Sequence, residues 1–97
     1  MDSIVSDAKK ALCIVQLSND LPMLRACLGL SQEEIADRIG VSRQTYNAIE
    51  SGRRPMTWST CISLVMLFSC FERTKKMMEF SNYCLEVMME ILKGDVS

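Results

Sequence analysis

Residues 31–52, SQEEIADRIGVSRQTYNAIESG, constrain the fold more tightly than any other stretch of the chain. They read as two short helices joined by a glycine turn. Ser31 followed three positions later by Glu34 is a capping box, in which side chains and backbone satisfy one another's orphan donors. Ile35, Ala36 and Ile39 then recur at helical spacing. Gly40 supplies the positive φ that ends a helix abruptly, and Val41 drops between the two helices. Ser42 caps the second helix, which turns Tyr46 and Ile49 inward. Its other face offers Arg43, Gln44, Thr45, Asn47 and Ala48, little apolar bulk and several hydrogen-bonding groups. Such a face suits a DNA major groove, although polar residues on a short helix, taken alone, are more often solvated surface.

The rest of the chain predicts an all-α domain of five to six helices. Two prolines and four glycines in 97 residues leave little punctuation for a many-turned β fold, and 48% apolar residues are enough for one core. Residues 3–17 form an N-terminal helix with Ile4, Ala8, Ala11, Leu12 and Val15 on one stripe, capped by Asp2 or Ser3. Ser18-Asn19-Asp20 separates it from a second helix over about 20–28, where Pro22 falls in the first turn and Leu21, Leu24 and Leu28 point inward. Gly29 ends that helix. Past the turn at 51–55, Thr57 caps a nearly all-apolar helix over about 58–68, anchored by Trp58 and buried on most sides. A long helix over 72–93 carries Met77, Phe80, Cys84, Val87, Met88 and Ile91 on one stripe, widened by Met78, Leu85, Met89 and Leu92. A stripe that wide either lies across its own core or forms a dimer interface, for which Phe80, Cys84, Val87, Met88 and Ile91 are the candidates. Residues 1–97 thus read as one domain, with a core at 20–69 between the helices at 3–17 and 72–93.

Charge and cysteine usage narrow the function. The formal net charge is −1, so any nucleic-acid contact must be a local footprint. Residues 41–56 supply one, with Arg43, Arg53 and Arg54 against Glu50 alone. With no histidine and five cysteines lacking C-x-x-C spacing, the chain fits neither a zinc site nor a disulfide framework. Cys13, Cys27, Cys61, Cys70 and Cys84 read as small core hydrophobes. No metal or cofactor is expected, and no nucleophile arrangement or phosphate loop points to an enzyme. An acidic start without a long apolar run, and no membrane-length segment, predict a cytoplasmic protein.

Residues 21–68 resemble the lambda-repressor/Cro-type helix-turn-helix regulators, also called the xenobiotic-response-element (XRE) type. The resemblance lies in Leu24-Arg25, Gly29-Leu30-Ser31-Gln32-Glu33-Glu34-Ile35-Ala36, Ile39-Gly40-Val41-Ser42-Arg43-Gln44-Thr45 and Ile49-Glu50-Ser51-Gly52-Arg53-Arg54-Pro55. It implies a lambda-repressor-like domain, here extended by the N-terminal helix and the long C-terminal one. It also implies that Arg43, Gln44, Thr45 and Asn47 face bases, that Gln32 and Ser42 meet backbone phosphates, and that Arg25 and Glu50 form an internal ion pair. Arg53 and Arg54, in the following loop, suit further phosphate contacts. Tyr46 departs from the family's usual aliphatic residue, and Pro22 from a helix-favouring one. The expected function is a sequence-specific regulator of transcription that binds double-stranded DNA. It would be a dimeric repressor reading a palindromic operator with helix 42–50. The alternative is an antitoxin or other interaction module whose terminal helices hold a partner protein.

Overall fold

Pro22 does not start a helix; it sits inside one. The computed structural model describes residues 2–81 and 83–96, and the side chains of 6–80 and 85–96. Its first element, α1 (Asp2–Leu28), is a single helix of 27 residues that runs through the expected break at 18–20. A proline in a helix interior costs about 3 kcal/mol through its missing N–H and ring clash. Burial of Leu17, Leu21 and Leu24 on the opposite side offsets this, each leucine being worth about 1.5–3 kcal/mol when fully removed from water.

A continuous α1 also changes which of its faces is buried. The inward line is Cys13, Leu17, Leu21 and Leu24. The expected stripe through Leu12 and Val15 points about 140–160° away from Leu17 at 100° per residue. Leu12 is 53% exposed and Val15 57%, and Ala8 and Ala11 are exposed beside them. Ile4 lies outside the described side chains.

The remaining helices are α2 (Gln32–Ile39), α3 (Arg43–Glu50), α4 (Trp58–Ser69), α5 (Glu72–Ser81) and α6 (Tyr83–Lys93). No strand occurs among the described residues. Helix α4 is central, packing against α1, α2 and α5, and buries Cys61, Leu64, Val65 and Phe68. Thr57 caps it by accepting from the Thr60 amide at 3.2 Å. Thr74 is buried among these residues, and its hydroxyl donates to the Phe68 carbonyl, so its polar atom is satisfied. Lys10 lies 5.7 Å from the centre of the Trp58 ring, which fastens α1 to the start of α4.

Helices α5 and α6 run antiparallel to α1. Met77 and Met78 share a cleft with Met23 near one end, and Lys9 Nζ meets Glu90 Oε1 at 3.0 Å near the other. This places Met78 and Met88 in the chain's own core. Met88, expected at a dimer interface, is therefore used internally. Val87 and Ile91 are half-buried, and Phe80 is 93% exposed. The side chain of Cys84 lies outside the described residues. Among the described residues no helix is long and apolar enough to cross a membrane.

Candidate nucleic-acid interface

The two short helices are set by their ends. The Glu34 amide donates to Ser31 Oγ at 3.0 Å, and the Ser31 amide donates to Glu34 Oε1 at 2.9 Å. That backbone bond holds the Glu34 carboxyl below its usual range. Gly40 has φ 78°, and the Val41 amide turns back to the Ala36 carbonyl at 3.0 Å. A Cβ at Gly40 would meet nothing within 4 Å, so the glycine is required by its backbone angle and not by space. Ser42 Oγ accepts from the Thr45 amide at 3.0 Å and donates to Thr45 Oγ1 at 2.9 Å. Ser42 is thus a helix cap at the same time as it lines the exposed surface.

Tyr46 and Ile49 anchor α3 in the core. The Tyr46 hydroxyl lies against Arg25 and Glu50 without a hydrogen bond to either, and burial pushes its phenol well above the usual range. Arg25 and Glu50 form an ion pair. Arg25 Nε lies 2.9 and 3.2 Å from the two carboxylate oxygens, and a second guanidinium nitrogen donates to the Leu30 carbonyl at 3.0 Å. The bond to Glu50 holds Arg25 more firmly protonated than a free arginine.

Six of the eight expected DNA contacts line one concave surface: Gln32, Ser42, Arg43, Gln44, Asn47 and Arg53, joined by Ala48. Arg54 and Thr45 lie outside that lining, with Arg54 Nη1 donating to Thr45 Oγ1 at 3.5 Å. Gln44 and Arg43 project from the first turn of α3 and are exposed. Arg43 makes a loose ion pair with Glu33 at 3.8 Å, both side chains in solvent, which binding can displace at little cost. Gln32 and Asn47 differ from these two, because they are bonded to each other. Asn47 Nδ2 donates to Gln32 Oε1 at 2.7 Å, Gln32 Nε2 donates to Glu50 Oε2, and Arg53 donates to Asn47 Oδ1. Arg53 Nε also donates to Ser51 Oγ at 2.9 Å. The loop itself folds back on α3, with the Arg53 and Arg54 amides donating to the Ala48 carbonyl at 2.9 and 3.1 Å. The surface is locally cationic, dished and lined by planar hydrogen-bonding groups, which is the chemistry that grips a phosphate backbone and reads base edges. Among the described residues no group of three His, Cys, Asp or Glu could hold a metal.

Residues 23–65, from the last turns of α1 into α4, match a family model described as helix-turn-helix. An uncharacterized HTH-type transcriptional regulator of Methanothermobacter thermautotrophicus is 65% identical over 26 residues, 27% of this chain and 38% of that protein. Another, from Methanocaldococcus jannaschii, is 49% identical over 37 residues, 38% of this chain and 56% of its own length. The chain therefore spans about half or less of these relatives. No solved structure matches it.

Proposed function

We propose that the protein regulates transcription as a sequence-specific binder of double-stranded DNA, a reading supported by the match of residues 23–65 to the helix-turn-helix family model and by the chain's likeness to two HTH-type transcriptional regulators. Helix α3 enters the major groove by its N-terminal end. Gln44 pairs with adenine through its two-sided amide, and Arg43 pairs with guanine or an adjacent phosphate. Thr45 lies beside them, and Gln32, Ser42, Arg53 and Arg54 meet the backbone. No bond is made or broken; the protein works by occupancy, as a repressor.

The observation that carries this reading is the single concave surface that collects Gln32, Ser42, Arg43, Gln44, Asn47 and Arg53 from two helices and a loop. Six polar residues brought together by folding are a stronger indication than a polar helix face alone. The dimer is part of the same proposal. Phe80 of α5, with Val87 and Ile91 of α6, supplies the apolar seam, and two copies set their α3 helices about 34 Å apart on a palindromic operator. A second reading, a module that holds a partner protein, draws on Leu12 and Val15, an apolar strip on α1 that faces solvent.

The test is binding of Arg43→Ala and Gln44→Ala to a duplex recovered by selection. Each variant should lose about 1–3 kcal/mol of specific affinity while melting like the wild type. Wild-type affinity in both would remove the assigned reading face.

A further inference from the structure

Asn47 hydrogen-bonds other protein groups through both polar ends of its side chain. Its amide nitrogen donates to Gln32 Oε1 at 2.7 Å, and its amide oxygen accepts from Arg53. Gln32 in turn donates to Glu50, whose carboxylate is clasped by Arg25. The result is one directional chain, Arg53 to Asn47 to Gln32 to Glu50, drawn from α2, α3 and the loop after α3 and anchored to α1 through Arg25.

The direction is forced. The Glu50 carboxylate can only accept, so the Gln32 amide must turn its NH₂ toward it and its oxygen toward Asn47. Asn47 must then offer its own NH₂ to Gln32, which leaves its oxygen for Arg53. The charge on Glu50, 6% exposed and fixed by Arg25, thereby sets two amide orientations and one guanidinium position at the surface. Each end of the Asn47 side chain already holds a protein partner, so its orientation is fixed by the chain and turning it to pair with a base would break these bonds.

We propose that Asn47 is a positioning residue for DNA binding. It holds Gln32 and Arg53 in register as two phosphate contacts and does not read a base pair. This rests on the DNA-binding reading above. Arg53 keeps donors beyond those given to Asn47 and Ser51, and Gln32 keeps a second amide hydrogen at the N-terminus of α2, where backbone amides favour an anion. Without Asn47 the arginine is tied only to Ser51, and its ordering must be achieved on binding.

The test is Asn47→Ala in the full chain, measured over a salt series on a duplex recovered by selection and on a scrambled duplex of equal length. We expect both affinities to fall by the same factor, about tenfold, with the ratio between them unchanged. The salt slope should drop by about one, the signature of one lost phosphate contact. In an Arg53→Ala background, Asn47→Ala should leave the slope as it finds it. The melting temperature, followed in parallel, should stay near wild type, because alanine favours a helix more than asparagine does. Relaxed selection at one base pair with an unchanged salt slope would make Asn47 a base reader and overturn the proposal. Unchanged binding to both duplexes would overturn it as well. If the wild type binds neither duplex, it is the DNA reading that fails, and this inference with it.

Discussion

Arg25→Ala tests the packing that carries the surface, and its cost can be worked from the structure. The substitution leaves Glu50 charged, 6% exposed, and supported by Gln32 alone. Removing one partner of a buried pair costs about 3–5 kcal/mol. The arginine is itself 26% exposed, so part of its charge is already solvated and the low end applies, about 3 kcal/mol. Glu50 also lies at the C-terminal end of α3, where a negative charge opposes the helix dipole, so the pair outweighs a small unfavourable term. Glu50→Ala should cost less, about 2 kcal/mol, because the charge it strands is the more exposed of the two. For a domain of this size about 3 kcal/mol lowers the melting temperature by roughly 12–24 °C. Urea denaturation of both single variants and the double variant measures the coupling. The double variant should be more stable than the sum of the singles predicts, since it strands no charge. Additive losses, or an Arg25→Ala loss below about 0.5 kcal/mol, would refute the claim that a desolvated pair fastens α3 to α1.

Four further outcomes follow from individual residues. Gly40→Ala should cost about 1–2 kcal/mol in urea denaturation through its positive φ alone, because no atom obstructs the added Cβ. Under the proposed dimer, Phe80→Glu should sediment as a monomer while keeping the wild-type helical content, since the ring is 93% exposed within one chain; an unchanged oligomer would retire Phe80 as its seam. Met88→Ala should instead lower stability by about 2–5 kcal/mol, the cost of a core cavity. Glu34 is held below its usual range in the folded chain, so its contribution is present above the unfolded value near 4.5 and is lost as pH falls through the folded one. Glu34→Gln, which keeps an acceptor for the Ser31 amide, should flatten that part of the acid denaturation curve.

The sequence was most legible where its signals are local. Ser31 with Glu34, Gly40, Ser42 and Thr57 each set a helix end through atoms three or four residues away, and each lies where its spacing implies. Helix α1 misleads because it carries two apolar strips on nearly opposite sides. Periodicity detects both and cannot say which one the rest of the chain will cover. Ser18-Asn19-Asp20 and Pro22 resemble a boundary, yet Leu17, Leu21 and Leu24 packed in one core outweigh those local preferences. Met88 fell on a stripe shared by inward and outward residues, and only the antiparallel placement of α6 on α1 separates them. The Asn47 network was out of reach for a different reason. Asn47, Gln32 and Arg53 come from three separate segments, and nothing in their spacing states that their amides and guanidinium meet.

The central claim is that α3 and its supporting loop select a DNA sequence. Selection of bound duplexes from a random pool, at a stated salt concentration, tests it most directly. Enrichment of a two-fold symmetric motif with half-sites about one helical turn apart is expected, with loss of the base preferences in each half-site when Gln44→Ala or Arg43→Ala is used. A pool that emerges unenriched would contradict it.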